Sequence, residues 1–316
     1  MMRSPLPPPP FDDLVARALA EDLGVSPQRL LAPPTTPGAQ SDLLTRDVTT
    51  YAVAVPGSRF GGHVVAREAG VVCGIGVATR AWTMLAAAAG IAPDTLVIEP
   101  LAVEGDSLAP GRTVLAVEGP SAVVLAAERT ALNVLMTLSG IASEAARWSA
   151  AAPGVDICDT RKTLPGLRVL SKWAVVCGGG HPHRAGLWDM VLVKDNHIRM
   201  AGGVTAAIEK ARAAHPELLL EVEADTIAQA EEAVRAGADI VLLDNMDGVM
   251  LARAVTAVRA EAKAAGRHCL TEASGGIRFE DLNRVAAAGI DRISTSALTL
   301  APPLDFGFDE VVNTQA

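Results

Sequence analysis

From residue 155 onward, short apolar segments alternate with alanine-rich segments, and this alternation constrains the fold most strongly. The apolar segments have strand length and lie at 155–159, 190–194, 218–223, 239–243, 269–273 and 291–295. Several of the segments between them have helical spacing, at 203–214, 226–236, 247–265 and 279–288. Strands that are apolar on both faces are typical of a parallel sheet covered by helices. So many strand–helix units in succession predict a TIM-like α/β barrel.

The first part of the chain has a different pattern. Residues 11–23 have helical spacing. Between 51 and 118, short Val-rich segments alternate with one helical segment near 75–89, which is typical of an α+β domain. A long helical segment follows at 121–150, and the pair Ser139-Gly140 predicts an interruption in it.

The composition limits the kinds of partner. The 316-residue chain has a formal charge of −9 and only 3% aromatic residues, so we expect no nucleic-acid partner. Charge-free apolar stretches such as 130–143 are shorter than the roughly 18–20 residues that span a bilayer, so we expect no membrane partner. Residues 1–10 lack the apolar core of a signal peptide, and the four cysteines form no CxxC pair. These features predict a cytoplasmic protein.

One segment is basic, although the chain as a whole is acidic. Residues 159–197 contain six Lys or Arg against three Asp, together with three His and a run of three glycines. A local concentration of cations in an acidic protein predicts a pocket for a small anionic ligand.

Basic residues follow the predicted strands, at the carboxyl ends where ligands bind in such barrels. Arg161 and Lys162 follow the first strand, where they suit capture of a carboxylate or phosphate, or form a solvated basic turn. His183 and Arg184 follow the glycine run, whose backbone either approaches a ligand closely or is only a mobile connection. Lys194 ends the second strand, where it contacts a ligand or extends to solvent.

Acidic residues occupy the same ends of the next strands. Glu221 and Glu223 share one face of a strand, and Asp244 closes the following strand. Carboxylates at adjacent strand ends can bind Mg²⁺ together with substrate phosphates. The alternative is structural pairing of these carboxylates with lysines of the barrel.

A loop rich in Ser and Gly predicts a phosphate site. Ser274, Gly275 and Gly276 precede a helical segment, so their backbone amides could hold a phosphate at a helix N-terminus. Thr295 and Ser296, after the last strand, would complete this cup. Cations, carboxylates and a phosphate cup together suit transfer of a phosphorylated sugar with loss of pyrophosphate. Arg129, on the long helix, has no place in this site by spacing alone and is typical of a surface ion pair.

The sequence resembles the quinolinate phosphoribosyltransferase family over nearly its whole length. The matching segments are RDVTT (46–50), AREAGVVCGI (66–75), ERTALNVLMTLSGIAS (128–143), DTRKTLPGLR (159–168), GGGHPHR (178–184), VKDNH (193–197), EVE (221–223), LLDNM (242–246), EASGGI (272–277) and ISTSALT (293–299). The resemblance implies an incomplete, seven-stranded barrel with an N-terminal α+β open-faced sandwich domain. It also implies that quinolinate and phosphoribosyl pyrophosphate give nicotinate mononucleotide, pyrophosphate and CO2 in NAD biosynthesis.

The resemblance also implies roles for individual residues. Quinolinate carboxylates are expected at Arg161, His183, Arg184 and the partner subunit's Arg129, in a homodimer or larger homo-oligomer with a shared site. Lys162 and Lys194 are expected between the two substrates. The carboxylates of Glu223 and Asp244 are expected to bind Mg²⁺ and the ribose. The 5′-phosphate is expected to bind at Ser274, Gly275 and Gly276.

The family pattern implies domain limits and shows two departures. The expected domains are an N-terminal sandwich at 1–130, a catalytic barrel at 131–298 and a C-terminal segment at 299–316 that packs on the sandwich. An inserted loop at 24–45 separates two segments that are close together in the family. Ser296 stands where family members often have Gly.

Two rival hypotheses remain at this level. A relative that uses nicotinate or another pyridine acid would have the same fold and would release no CO2. A non-catalytic protein that senses a nucleotide or dicarboxylate would not require Lys162, Lys194, Glu223 and Asp244 together.

Overall fold

The computed structural model describes residues 8–32 and 42–311. They form two compact units. The described residues of the first unit lie within Met1–Ser143, Pro165–Gly178 and Ala301–Ala316, and those of the second within Glu144–Leu164 and Gly179–Leu300. The expected domain limits at 130/131 and 298/299 stay a prediction. Residues 33–41 of the predicted insertion, the first seven residues and the last five of the predicted C-terminal segment lie outside the described residues.

The regular elements alternate along the chain. The helices are α1 (Asp12–Leu23), α2 (Gln28–Leu31), α3 (Val48–Val53), α4 (Ile75–Ala88), α5 (Ser121–Ala151), α6 (Arg168–Cys177), α7 (Asp195–Ala201), α8 (Val204–Ala214), α9 (Ile227–Ala236), α10 (Gly248–Ala264) and α11 (Leu282–Ala287). The strands are β1 (Arg59–Ala66), β2 (Gly70–Val71), β3 (Val97–Pro100), β4 (Ser107–Leu108), β5 (Thr113–Pro120), β6 (Asp156–Cys158), β7 (Val191–Val193), β8 (Leu220–Ala224), β9 (Ile240–Asp244), β10 (Leu270–Ser274), β11 (Arg292–Ser294) and β12 (Phe306–Glu310). Short 3₁₀ segments occur at Asp42–Arg46, Pro93–Thr95 and Phe279–Asp281.

The first unit is built on a four-stranded antiparallel sheet of order β12-β1-β5-β3. Trp82 of α4 is fully buried, lies 6.2 Å from the Phe308 ring of β12 and donates from Nε1 to the Val124 carbonyl, 3.0 Å away. Helix α1 in turn packs on α4 through an apolar face that includes Leu19. The expected α+β domain is confirmed.

The second unit is a six-stranded parallel sheet of order β6-β11-β10-β9-β8-β7. His181 forms a single parallel bridge with Cys158 of β6, so it takes a seventh strand position at that end of the sheet. All six predicted strands form within two residues of their expected limits. The prediction of an incomplete TIM-like barrel is confirmed.

Two aspartates fix the register of neighbouring parallel strands. Asp239, just before β9, accepts the Leu220 N–H at the start of β8 at 2.8 Å. Asp291, just before β11, accepts both the N–H of Thr271 on β10, at 2.8 Å, and its hydroxyl, at 2.6 Å. Each aspartate ends a repeated Ala-Gly-x-Asp segment, at 236–239 and 288–291. A slip by one residue would turn the strand's apolar set outward, so these contacts help to specify the barrel.

The predicted interruption of the long helix is wrong, because α5 runs continuously through Ser139 and Gly140. Glycine is needed here for packing: a Cβ on Gly140 would lie 2.1 Å from the Pro302 carbonyl oxygen. Ser139 accepts the Cys73 N–H at 3.0 Å, so its hydroxyl serves a tertiary contact and not a helix end.

Helix α5 is also 31 residues long and has a window apolar enough to cross a membrane. Half of that window is buried inside the protein. The core helices of water-soluble proteins have the same length and composition, so this helix is only weak support for a membrane segment.

The Asp291 contact predicts a pH-dependent loss of stability. Burial opposes ionisation of Asp291, but hydrogen bonds from Thr271 outweigh it and lower the pKa of this carboxyl. A lowered folded-state pKa gives stability that is present above the unfolded pKa, about 3.9, and is lost as the pH falls through the folded value. Asp291→Asn should therefore lower the free energy of unfolding by about 1–3 kcal/mol at pH 7, and by less below about pH 4. Urea unfolding at pH 7 and below about pH 4 measures the loss of unfolding free energy. Glu217→Gln, at an exposed position, is the control. Equal losses in Asp291→Asn at both pH values would contradict the prediction.

Candidate active site

A cavity of about 830 Å³ lies in the second unit, where the parallel strands end. Every predicted site residue except Arg129 and Glu221 lines it: Arg161, Lys162, His183, Arg184, Lys194, Glu223, Asp244, Ser274, Gly275, Gly276, Thr295 and Ser296. These residues come from the ends of six different strands or from the loops that follow them. The parallel direction of the strands is what brings them together.

Arg161 and Arg184 give one side of the cavity its positive charge. Burial and the neighbouring Arg161 lower the pKa of Arg184, although a guanidinium keeps its charge at neutral pH. Nε of Arg161 is buried and has no hydrogen-bond partner within residues 8–32 and 42–311. A buried guanidinium N–H without an acceptor is costly, so an anion bound here would satisfy it.

Lys162 lies on a turn that its own backbone stabilises. Its N–H donates to the Thr160 hydroxyl at 3.0 Å, and its carbonyl accepts the Thr299 hydroxyl at 2.8 Å. The side chain is exposed and lines the cavity. The turn after β6 thus fixes the backbone of Lys162 and leaves its ammonium available to a ligand.

Three carboxylates gather near the other side of the cavity. One oxygen from each of Glu223, Asp225 and Asp244 lies within 4.8 Å of the others. Burial, followed by the negative charges of Glu223 and Asp225, raises the pKa of Asp244. Lys194 Nζ lies 3.0 Å from Glu223 Oε2 and supplies a cation at the same place. Hard oxygen donors that repel one another in this way suit a divalent cation such as Mg²⁺.

Asp225 was missed by the sequence reasoning, although a signal was available. Residues 221, 223 and 225 share one parity in the sequence, and Asp225 directly follows the last residue of β8. Glu221, which the sequence also offered for a cation, is fully buried beside His183 and does not belong to this carboxylate cluster.

The predicted phosphate loop has the backbone freedom that a close approach requires. Gly275 and Gly276 have φ values of 94° and 58°, a region that favours glycine. A Cβ on Gly275 would lie 2.3 Å from Oδ1 of Asn245, which itself has a φ of 53°. The Asn245 N–H donates to the Ser274 carbonyl at 3.1 Å, and its side-chain amide donates to Asp244. Asn245 therefore joins the phosphate loop to the carboxylate cluster, a role that the sequence did not indicate.

The helix expected at 279–288 is shorter than predicted. A 3₁₀ segment at Phe279–Asp281 comes first, and α11 has only six residues. A phosphate at this loop would therefore rest on the backbone amides of the glycine loop and not on a long helix dipole.

His183 lies at the inner side of the cavity and is only 7% exposed. Its Nε2 lies 3.1 Å from Glu221 Oε2 and 3.3 Å from Glu272 Oε1, and its Nδ1 accepts the Arg184 N–H at 2.8 Å. Burial opposes a charge on this ring, but the two carboxylates outweigh it and raise the pKa of His183 to about 9. Both ring nitrogens have protein partners, so the expected contact of His183 with a substrate carboxylate stays a prediction.

Arg129 lies on α5, with 62% of its side chain exposed. It has a loose ion-pair contact with Glu128 at 3.9 Å. It does not line the cavity, so its expected contribution to a partner's site also stays a prediction.

Two family models match most of the chain. The C-terminal domain of quinolinate phosphoribosyl transferase matches residues 141–309, and the N-terminal domain of the same family matches residues 47–139. The second match contains Arg129, and the first contains every residue that lines the cavity.

Known proteins give the same result. The chain is 38% identical over 266 residues to the nicotinate-nucleotide pyrophosphorylase [carboxylating] of Mycobacterium leprae, covering 83% of this chain and 90% of the relative. It is 43% identical over 209 residues to the Homo sapiens protein of that name, covering 64% and 69%. The crystal structure of NadC from Streptococcus pyogenes superposes with a TM-score of 0.81 at 33% identity and covers 98% and 100% of the two chains. The protein therefore belongs to the quinolinate phosphoribosyl transferase family.

Proposed function

We propose that this protein transfers the phosphoribosyl group of phosphoribosyl pyrophosphate to quinolinate and gives nicotinate mononucleotide, pyrophosphate and CO2 in NAD biosynthesis. The names of the relatives support this reaction. The observation that carries it is the buried Nε of Arg161, which lacks a protein acceptor beside the second cation of Arg184. A ring with two adjacent carboxylates supplies hydrogen-bond acceptors for both guanidinium groups.

The charge balance of the cavity supports two anionic substrates. Arg161, Lys162, Arg184 and Lys194 line a pocket in a chain whose net charge is −9. At about 4 Å and an effective dielectric constant of about 20, one ion pair contributes about 4 kcal/mol before desolvation. Several such pairs would offset the cost of removing a dicarboxylate and a sugar phosphate from water.

Mg²⁺ is part of the proposal, and the carboxylate cluster fits it. Glu223 and Asp244 would hold the ion, with Asp225 beside them. The raised pKa of Asp244 reflects burial and negative neighbours that a cation would relieve. When bound, Mg²⁺ supplies positive charge to the phosphate oxygens and so favours the departure of pyrophosphate.

The chain's own residues would orient the two substrates. Arg161 and Arg184 hold the ring carboxylates and thereby aim the ring nitrogen at the sugar carbon. Lys194, held by Glu223, and Lys162 place positive charge between the ring and the leaving pyrophosphate. The amides of Gly275 and Gly276, with Thr295 and Ser296, receive the 5′-phosphate. Once the ring nitrogen is bonded to the sugar, its positive charge stabilises the carbanion that the departing CO2 leaves behind.

Assembly and location complete the proposal. A homodimer or larger homo-oligomer would allow the partner subunit's Arg129 to reach the ring carboxylates, which the exposure of this side chain permits. A cytoplasmic location is supported by the four cysteines, all within the described part of the chain and all thiols.

The metal proposal predicts the effect of one substitution. Asp244→Asn should lower kcat by about 100–1,000-fold, because it removes one charged ligand, while quinolinate affinity without the sugar substrate should change little. Steady-state turnover and calorimetric titration measure the two quantities. Asp247→Asn is the matched control in the same loop, since Asn caps α10 as well as Asp does. Full activity of Asp244→Asn, or of the wild type in excess EDTA, would remove Mg²⁺ from the reaction.

The assembly proposal predicts complementation between two inactive variants. Arg129→Ala and Lys162→Ala should each be inactive alone, because every site then lacks one cation. Co-refolded mixtures should regain about a quarter of the wild-type activity if two chains pair at random and each site takes Arg129 from its neighbour. Native mass spectrometry verifies the heterodimers. Verified heterodimers without activity would favour a site made within one chain.

The charge of the pocket predicts the choice of substrate. Nicotinate lacks one carboxylate, so it should bind more weakly by about 2–5 kcal/mol, or about 30-fold to several thousand-fold. Quinolinate labelled with ¹³C in the 2-carboxylate should release one labelled CO2 per turnover. Efficient use of nicotinate, or label that remains in the nucleotide, would contradict the proposed reaction.

A further inference from the structure

The turns that follow β6 and β11 are neighbours at the edge of the cavity. The first carries Lys162, and the second carries Thr295 and Ser296. The two strands pair in parallel, but each has only three residues, and their last paired residues are Cys158 and Ser294. One further backbone bond follows, from the Thr295 N–H to the Cys158 carbonyl at 3.0 Å. Beyond this bond the strand ladder no longer fixes the distance between the two turns.

The side chain of Thr299 joins the two turns. Thr299 is only 1% exposed, and its hydroxyl donates to the Lys162 carbonyl at 2.8 Å. The Ser296 carbonyl, three residues earlier, lies 3.4 Å from the same hydroxyl oxygen. A hydroxyl has one proton, so the shorter contact takes it. Threonine hydroxyls usually bond to backbone nearby in sequence, whereas this one bonds to a residue 137 positions away.

Two hydrogen bonds hold the backbone on the two sides of Lys162. The Thr160 hydroxyl accepts the Lys162 N–H at 3.0 Å, so it holds the peptide group that joins Arg161 to Lys162. The Thr299 hydroxyl holds the next peptide group, through the Lys162 carbonyl. Loss of the Thr299 hydroxyl would therefore release the second peptide group and leave the backbone of Arg161 in place.

The turn after β11 has hydrogen bonds of its own. The Ser296 carbonyl accepts the Leu300 N–H at 3.1 Å, and the Thr295 hydroxyl accepts the Ala297 N–H at 3.2 Å. These bonds do not involve the Thr299 hydroxyl and would remain without it. The phosphate cup should therefore keep its shape when the bond from Thr299 to the first turn is lost.

We propose that Thr299 is a positioning residue for the transfer step: its hydroxyl fixes the backbone of Lys162 relative to the phosphate cup and thereby places the Lys162 ammonium beside the leaving pyrophosphate. The side chain of Lys162 is long and exposed, so only a fixed backbone can direct its ammonium. A shift of about 1 Å in such a group can cost about 100-fold in rate. The inference rests on the proposed function, because that function places Lys162 between the ring and the pyrophosphate.

Three substitutions separate the hydrogen bond from the packing of the side chain. Thr299→Val keeps the shape and removes the donor. Thr299→Ser loses the methyl group and keeps the hydroxyl, whereas Thr299→Ala loses both. Thr299→Val and Thr299→Ala should each lower kcat by about 30–100-fold, because Lys162 shifts, and Thr299→Ser should stay within about threefold of the wild type. Steady-state kinetics with quinolinate and phosphoribosyl pyrophosphate measure kcat.

The binding of a sugar phosphate shows whether the effect is confined to Lys162. Ribose 5-phosphate carries the 5′-phosphate and lacks the pyrophosphate that Lys162 serves. Its Kd in Thr299→Val, measured by calorimetry, should stay within about threefold of the wild-type value, because only an interaction of the transfer step is lost. A purely structural role of Thr299 would instead distort the phosphate cup and raise this Kd together with the loss of kcat.

Thr271→Val is the matched control, because it also removes a buried threonine hydroxyl from the second unit. It loses a bond to Asp291, so it should lower Tm and leave kcat unchanged. The proposal is overturned by wild-type kcat in Thr299→Val, by Thr299→Ser as slow as Thr299→Ala, or by ribose 5-phosphate binding that weakens as much as kcat falls. If one variant without the hydroxyl does not fold, the other decides; if neither folds, the hydroxyl serves folding and the proposal is wrong.

Wild-type turnover is measured first, so that failure of the reaction and failure of the positioning role can be told apart. A wild type that does not convert quinolinate contradicts the proposed function. A wild type that converts it, together with an equally active Thr299→Val, contradicts only the role of Thr299.

Discussion

Six parallel strands end at one edge of the second unit, and every chemical property of the cavity depends on that shared direction. Cations from the turns after β6 and β7, carboxylates from β8 and β9, and amides after β10 are far apart in sequence. Only strands that run the same way bring them into one space of about 830 Å³. The aspartates before β9 and β11 hold that arrangement by fixing the register of the strands beside them.

Charge of both signs is kept unneutralised in the cavity. At the surface, Arg161 has a buried N–H without a protein acceptor, and three carboxylates repel one another. Beside it, His183 Nε2 lies 3.1 Å from Glu221 Oε2 and 3.3 Å from Glu272 Oε1, and Arg292 Nη1 lies 3.4 Å from Glu272 Oε2. Unsatisfied groups lower the stability of a protein without ligand, and they are the groups that gain most when substrates bind.

Much of this could be predicted from sequence because it depends on local pattern. Apolar runs located all six barrel strands. The polar residues after these strands located the cavity, because the carboxyl ends of parallel strands lie at one edge whichever strands are neighbours. The ion pair of Arg292 with Glu272 could not be found, because it depends on which strands are neighbours. The break expected at Gly140 was wrong for a related reason: the residue that requires glycine there is Pro302, which is distant in sequence.

The pairing of β12 with β1 has a consequence for synthesis on the ribosome. Residues 306–310 complete a sheet whose other strands lie at 59–120, so the second unit must emerge before that sheet can close. Until then the nascent chain has an unpaired edge on β1, from Gly62 to Ala66, that can pair with another chain. Chaperone binding during translation is the usual protection for such an edge. A chain that ended at Asp305 would lack β12, and this edge of β1 would then stay unpaired.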